Sequence, residues 1–339
     1  GQVLTAGVGQ NPARQAGIKA GLPIEKPAYV VNQVCGSGLR SIANGYQSII
    51  SNEAKIVVAG GQESMTNAPH TINFRNDKKL DESKLVDTMI KDGLWDAFHG
   101  YHMGVTAENV ATKFQVTRQE QDKFALNSQE KALNAIKQNK FKEEITNLKI
   151  KSKKAEIDFN KDEHPRDGIS LEALKRLKPV FKKDGTVTAG NASTINDGAA
   201  AIILMSKDKA TELGLKPIAK VISFADGSQE PKWFTTTPTK ALEKALEKAN
   251  IEKENVDFWE LNEAFSVVGI ANIKNLGIDA NKVNIHGGAV SLGHPLGCSG
   301  ARIMVTLLNI LEQKNGKIGA AGICNGGGGA SAMIIENLC

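Results

Sequence analysis

The chain has 339 residues, and its 42 Lys and Arg exceed its 37 Asp and Glu by a formal net charge of +5. Apolar residues make up 41% and charged residues 23%, near globular averages, which excludes a disordered chain, collagen and a coiled coil. No apolar run of about 18 residues predicts a membrane span, and no basic stripe with interleaved aromatics predicts nucleic-acid binding. The length predicts about two domains.

Only four cysteines are present, and none forms a CxxC pair. That count is too low for a disulfide scaffold and gives no zinc-site spacing, so no metal is expected. Free thiols in a reducing cytoplasm are the better interpretation.

The first element with chemical potential surrounds Cys35. An apolar, β-prone stretch at 28–31 precedes it, Gly36-Ser37-Gly38 follows it, and a helix is predicted over 39–50. The dipole and free N–H groups of a helix N-terminus stabilise a thiolate, which predicts a lowered pKa for this thiol. A small buried residue at a tight turn is the alternative.

This turn, helix and strand recur later in the chain. At an offset of 262 residues, the segment 37–40 matches 299–302, and the strand predicted at 55–60 matches 317–322. At an offset of 131 residues, a further strand at 198–203 matches 329–334. The difference between the offsets predicts a 131-residue insertion in the first copy, at about 65–195.

The repeat predicts the domain organisation. A first half would comprise 1–64 and 196–214, the insertion 65–195, and a second half 215–339. The second half opens with a predicted strand at 219–224, a helix at 239–250 and a strand at 256–261, for which the first half has no counterpart. We therefore expect that the first half lacks a strand-helix-strand at its start, as in a clipped, truncated or incompletely represented chain. Alternating strands and helices predict an α/β fold with mainly parallel sheets that bind ligands at the carboxyl ends of strands.

Three further candidate residues lie near such strand ends. His294 lies between Gly293 and Pro295, in the loop that corresponds by repeat to the one around Cys35; a structural histidine is the alternative. Asn262 follows a predicted strand, where it would hold a water or a carbonyl, or cap a helix. Cys324 precedes four glycines whose N–H groups could face a substrate oxygen, although a simple tight connection is possible. Cys with His predicts a covalent acyl intermediate, and a second thiol suits an enzyme that also moves a proton on a carbon.

Four segments together resemble the signature motifs of thiolases, most closely those of short-chain, biosynthetic-type acetyl-CoA acetyltransferases. They are VNQVCGSGLR at 31–40, NEAF at 262–265, GHP at 293–295 and CNGGG at 324–328. The resemblance covers the whole chain and implies duplicated α/β halves in an α-β-α-β-α layered core, with an inserted loop domain.

The resemblance also implies roles for the candidate residues. Cys35 would be the nucleophile, His294 the acceptor of its proton, and Cys324 the acid/base acting on the second substrate. The N–H groups of Cys35 and Gly326 would form one oxyanion hole, and His294 with a water held by Asn262 the other.

The implied activity is the reversible condensation of two acetyl-CoA to acetoacetyl-CoA and CoA. CoA would be a substrate and product, with no tightly bound cofactor, and the chain would form a homotetramer (a dimer of dimers) in the cytoplasm. The inserted domain would cover CoA, and the implied substrate-binding residues are His102, Met103, Arg166, Phe181, Ala189, Ser193, Ala264 and Phe265.

Two other functions remain open at this point. A related condensing enzyme or hydrolase could use Cys and His on the same duplicated fold, although Cys324 and the 102–103 loop disfavour it. A non-enzymatic acyl-CoA carrier or degenerate subunit is a different class, which the presence of every motif residue disfavours. CoA-dependent cleavage of acetoacetyl-CoA discriminates among the three.

Overall fold

A computed structural model of the chain describes residues 1–73, 85–151 and 155–339. Its α-helices are α1 Pro12–Lys19, α2 Ser37–Ile50, α3 Met103–Lys113, α4 Arg118–Lys137, α5 Leu171–Lys175, α6 Lys207–Glu212, α7 Thr237–Ala249, α8 Ser266–Leu276, α9 Ala289–Leu292 and α10 Leu296–Lys314. Its strands are β1 Ile56–Ser64, β2 His70–Thr71, β3 Val86–Asp87, β4 Trp95–Asp96, β5 Tyr101–His102, β6 Leu148–Lys151, β7 Glu156–Phe159, β8 Asp197–Met205, β9 Ala219–Ser228, β10 Phe258–Leu261, β11 Ile318–Asn325 and β12 Gly329–Asn337. Within the three ranges, no helix is long and apolar enough to cross a membrane.

Two sheets carry the duplication that the repeat predicted. In one, β1 pairs antiparallel with β8, starting with Ile56 opposite Met205. In the other, β11 pairs antiparallel with β12, starting with Ile318 opposite Glu336. Ile318 lies 262 positions after Ile56 and Glu336 lies 131 after Met205, so the two offsets map one register onto the other. The fold class, duplicated α/β halves, is confirmed.

The expectation of mainly parallel sheets is wrong. The larger sheet has the order β10-β11-β12-β9, and of its neighbouring pairs only β10 with β11 runs parallel. The three residues 326–328 connect β11 to β12, and such a short turn can join only antiparallel strands. The apolar stretch at 28–31 also differs from its prediction, because it has no regular secondary structure and belongs to no described sheet.

Helices α2 and α10 lie between the two sheets. α10 contacts β1 and β8 on one side and β10 and β11 on the other. The side chains of α10 are therefore buried on nearly every face of the helix. The two helices cross at matched glycines of the repeat. A Cβ on Gly38 would lie 2.6 Å from the Ala301 nitrogen, and one on Gly300 would lie 2.3 Å from the Leu39 nitrogen. The pair of glycines therefore allows both N-termini to meet at one end of the molecule.

The two halves differ on their outer faces. In the second half, α7 covers β9, β11 and β12, and Ile334 is fully buried. The matching residue of the first half, Ile203, is 63% exposed, and its cross-strand partner Val58 is 51% exposed. Among the described residues, the sheet of the first half contains β1 and β8 alone.

The region between β1 and β8 contains α3, α4 and α5 with short hairpins. Helix α4 begins with a capping box, in which the Thr117 side chain accepts from the Glu120 N–H and Glu120 accepts from the Thr117 N–H. α4 packs on α8 and α9, which places this region against the second half. The domain boundaries 65–195 and 215 stay a prediction, and 74–84 and 152–154 of the insertion lie outside the described residues.

Candidate active site

Cys35 lies in a strained turn that ends at the N-terminus of α2. The preceding residue, Val34, has φ 48°, which is rare for a β-branched residue. The Ser37 hydroxyl donates to the Val34 carbonyl at 2.5 Å and accepts from the Gln33 N–H at 2.9 Å. A local hydrogen-bonded loop thus holds the strained conformation, and strain of this kind concentrates at functional sites.

The predicted lowering of the Cys35 pKa is wrong. Cys35 is only 3% exposed, and burial raises the pKa of its thiol to about 12. Hydrogen bonds from the N–H groups of Gly326 and of Cys35 itself oppose that rise without cancelling it, and the nearby Glu63 adds to it. Helix α2 begins two residues later, so the thiol lies just outside the helix.

Cys324 and Gly326 meet Cys35 from the end of β11. Cys324 is fully buried, which raises the pKa of its thiol well above the usual value, and electrostatic coupling to the neighbouring Cys35 thiol raises it further. The Gly326 N–H points at the Cys35 sulfur, and a Cβ on Gly326 would lie 2.3 Å from the Met103 methyl group. The two thiols, Gly326 and Met103 therefore share one site.

His294 is buried at the start of α10 and held from two sides. Its backbone N–H donates to Asn196 Oδ1 at 3.0 Å, and its ring Nδ1 lies 2.5 Å from Ser299 Oγ. Nε2 has no hydrogen-bond partner among the described residues. Burial, with a smaller effect from the Arg302 charge, lowers the pKa of His294 to about 4. The imidazole is therefore neutral at pH 7.

Asn262 follows β10, the strand parallel to β11. Its backbone N–H donates to the Gly322 carbonyl at 3.0 Å, two residues before Cys324. The side chain is buried, and in the described part of the chain neither its Nδ2 nor its Oδ1 has a hydrogen-bond partner. A buried amide without protein partners is costly unless a ligand or water satisfies it.

Three polar residues that anchor this site were not predicted from the sequence. Glu63, at the end of β1, accepts from the N–H groups of Val3, Leu4 and Gly297. It thereby ties the start of α10 to the other half. Asn196 and Ser299 hold His294 as described above. A carboxylate at the end of an apolar strand was the one signal in the sequence for such a role.

An aromatic group lines the approach to the thiols. The His102 ring stacks on Phe181 at 4.6 Å between centroids, and Phe181 lies edge-on to Phe265 at 6.1 Å. Burial lowers the pKa of His102. The backbone N–H and hydroxyl of Ser193 both donate to the Ala264 carbonyl, at 3.1 and 2.9 Å, which joins the insertion to the NEAF segment.

Arg166 and Ala189 lie farther out than the other predicted binding residues. Both are exposed, and the Arg166 N–H donates to the Gln129 side chain at 2.9 Å. Within the described ranges, no group of three or more His, Cys, Asp or Glu side chains could hold a metal ion. The chemical groups that the structure brings to the site are two neutral thiols, a neutral imidazole, an amide and backbone N–H groups.

Comparisons with known proteins agree along the whole chain. The family model described as thiolase, N-terminal domain, matches residues 1–208, and that described as thiolase, C-terminal domain, matches 215–337. Acetyl-CoA acetyltransferase of Rhizobium meliloti is 50% identical over 338 residues, and that of Paracoccus denitrificans 51% over 336; the matches cover 100% and 99% of this chain and 86% of each relative.

Solved structures give the same result. Acetyl-CoA acetyltransferase of Bacillus anthracis matches with a TM-score of 0.96 at 40% identity, over 99% of this chain and 86% of that one. A thiolase of Ascaris suum, whose structure is a complex with coenzyme A, matches with a TM-score of 0.94 at 43% identity, over 100% of this chain and 86% of that one.

Proposed function

The chain belongs to the thiolase family, and on that premise we propose that it is an acetyl-CoA C-acetyltransferase. It condenses two acetyl-CoA to acetoacetyl-CoA and CoA, reversibly, through an acetyl group carried on Cys35. The observation that carries this proposal is the meeting of two buried thiols, Cys35 and Cys324, beside backbone N–H groups that point at the Cys35 sulfur. A hydrolase that forms an acyl-cysteine has no use for the second thiol.

The first half-reaction acetylates Cys35. The sulfur attacks the thioester carbonyl as its proton passes to His294, and a tetrahedral oxyanion forms. CoA then leaves as a thiolate that takes the proton of Cys324, so that Cys324 becomes a thiolate. The N–H groups of Cys35 and Gly326 already hydrogen-bond the sulfur, so the oxygen that develops next to it lies within their reach. One such donor typically contributes about 2.7–4 kcal/mol of transition-state stabilisation.

His294 accepts the Cys35 proton during this attack. The Ser299 hydroxyl donates its only proton to the Pro295 carbonyl at 2.9 Å, so His294 Nδ1 donates to Ser299 Oγ. That leaves the Nε2 lone pair, which has no partner among the described residues, as the proton acceptor. A lowered pKa keeps this imidazole neutral and ready to accept.

Cys324 performs the second half-reaction. As the thiolate left by the first half-reaction, it takes a proton from the α-carbon of the second acetyl-CoA. The resulting enolate attacks the acetyl carbonyl, and Cys35 leaves and recovers its proton from His294. His294 Nε2, then protonated, and a water held by the unpartnered Asn262 amide stabilise the enolate oxygen. In thiolysis the same groups act in reverse, and Cys324 takes the proton from the thiol of CoA.

The substrates are acetyl-CoA, acetoacetyl-CoA and CoA. We place the acyl end of the substrate between Met103, Phe181 and Phe265. Met103 and Phe265 belong to the same buried apolar cluster as Cys324, and Phe181 packs against that cluster. The remaining predicted binding residues, His102, Arg166, Ala189, Ser193 and Ala264, follow outward along the insertion. Apolar packing suits a short acyl chain and the pantetheine arm.

The proposal also includes two halves with an inserted domain at 65–195. It further includes assembly as a homotetramer and a cytoplasmic location. All four cysteines are free thiols, which supports a reducing compartment. Light scattering on the purified chain tests the oligomer.

Loss of the acetoacetyl-CoA enolate absorbance on addition of CoA tests the activity. The unchanged protein should consume acetoacetyl-CoA and CoA and release acetyl-CoA. A hydrolase would release free acid and would not need added CoA. Cys35→Ser should abolish the acetyl-enzyme, and Cys324→Ser should still be acetylated but fail to condense. Transfer retained by Cys35→Ser would rule out this nucleophile.

A further inference from the structure

A buried carboxylate next to Asn262 has no role in the steps above. Glu263 is 2% exposed, and its Oε2 accepts from the Ser128 hydroxyl at 2.7 Å and from the Val290 N–H at 3.2 Å. Its Oε1 accepts from the Asn284 amide at 2.8 Å. These bonds reach two segments of the chain, α4 of the insertion and the stretch 284–290 before His294, so the carboxylate joins the end of β10 to both.

The partners of Glu263 are themselves fixed to the same two segments. Asn284 also bonds the N–H and the carbonyl of Leu261, the last residue of β10, at 2.8 Å each. Ser128, on α4 of the insertion, accepts from the Gly288 N–H at 3.1 Å. A Cβ on Gly288 would lie 2.2 Å from the Glu263 carboxyl carbon, so glycine is needed there for the carboxylate to approach.

Asn262 depends on this arrangement more than His294 does. The side chain of Asn262 has no hydrogen bond to any described residue, so its direction follows from the peptides on either side of it. His294 is held separately, by Asn196 and Ser299. Loss of a bond at Glu263 should therefore displace the Asn262 amide relative to a His294 ring that stays in place.

We infer that Glu263, together with Ser128 of the insertion, is a positioning residue for the Asn262 amide, and hence for the enolate-stabilising site it forms with His294. This inference rests on the proposed function. Partners one layer behind metal ligands typically change activity by about 10- to 100-fold. We expect an effect of that size here, because small displacements of a reacting group cost rate steeply. The loss of rate should fall on the carbon–carbon bond step, because acetylation of Cys35 uses the N–H groups of Cys35 and Gly326 instead of the Asn262 amide.

The test compares the two half-reactions in Ser128→Ala and Glu263→Gln. Exchange of labelled CoA into acetyl-CoA reports acetylation of Cys35, and thiolysis of acetoacetyl-CoA reports the bond step. The matched control is Ser223→Ala, which removes another buried hydroxyl, one that donates to the Ala245 carbonyl at 2.6 Å beneath α7. Ser128→Ala removes one bond of the network and keeps the fold testable where Glu263→Gln is unstable.

We expect Ser128→Ala to slow thiolysis by about 10- to 100-fold, while exchange stays close to that of the unchanged protein and of Ser223→Ala. Equal losses in both half-reactions, no loss in thiolysis, or the same split in Ser223→Ala would overturn the positioning role. Absence of exchange and thiolysis in the unchanged protein would instead overturn the proposed function, and the inference with it.

Discussion

The route of the Cys35 proton determines how fast the acetyl-enzyme forms. Burial raises the pKa of Cys35 to about 12 and lowers that of His294 to about 4. At pH 7, a thiolate formed before attack would cost about 7 kcal/mol, because five pH units separate it from its pKa at about 1.4 kcal/mol each. Transfer of the proton to neutral His294 during the attack avoids the free thiolate.

We therefore expect His294→Ala to slow acetylation by about 10²- to 10⁴-fold near pH 7, the usual contribution of a general base. The pH dependence should change as well. The unchanged protein should acetylate at a constant rate above about pH 5, because His294 is neutral throughout that range. In the variant the rate should rise about tenfold per pH unit toward the pKa of the thiol. Rapid-quench acetylation with radiolabelled acetyl-CoA, followed by counting of precipitated protein, measures both.

His286→Ala is a matched control for that experiment. His286 is also buried, with its pKa lowered to about 4 by burial, and it lies edge-on to Phe141. Its replacement should leave the acetylation rate and its pH dependence unchanged. A constant rate across pH in His294→Ala, or a rate equal to that of the unchanged protein, would refute His294 as the base.

Burial and backbone geometry carry three predictions about stability. His294 and His286 should each lower the free energy of unfolding by roughly 3 kcal/mol as the pH drops from about 6.5 to about 4, because only the unfolded imidazoles take up protons in that window. His286→Ala should therefore lose about 3 kcal/mol less than the unchanged protein over that pH range; equal losses in urea melts would contradict it. Ile334→Ala should cost about 2–5 kcal/mol and the repeat-matched Ile203→Ala within about 0.5 kcal/mol, because their exposed fractions are 0% and 63%; equal costs in urea melts would mean that the face around Ile203 is covered in solution. Val34→Gly should add about 1–2 kcal/mol of stability by relieving strain while it slows acetylation, and a lower Tm would show that the lost side-chain packing outweighs the strain.

The positions of the repeated strands were predictable because the repeat is visible in short stretches of sequence. Two matched strand pairs, 55–60 with 317–322 and 198–203 with 329–334, were visible as sequence identities, and the structure aligns both pairs in register. Strand direction was less accessible. The parallel expectation came from alternation of strands and helices, which does not reveal that a three-residue glycine turn folds β12 back on β11.

The sequence singled out the two thiols and Gly326, which the structure brings together, but not the electrostatics around them. Helix position alone suggested a lowered pKa for Cys35, whereas the opposite shift arises from burial by distant segments. Glu63 acts across 234 positions on the Gly297 N–H, and Glu263 acts across 135 positions on Ser128. Contacts of that separation depend on tertiary packing, which no local pattern in one sequence records.

The duplication explains why a chain with two similar halves contains one site. At the 262-residue offset, Cys35 corresponds to Gly297 and Cys324 to Gln62. His294 corresponds to Asn32, so each reactive side chain has an unreactive counterpart in the other half. One of these counterparts has a structural role. The Gly297 N–H donates to Glu63, whereas the corresponding position of the first half carries the Cys35 thiol. The proposed nucleophile therefore comes from one half, and its proposed base and second thiol come from the other. The proposed mechanism thus depends on the packing of α2 against α10, which brings the two halves together.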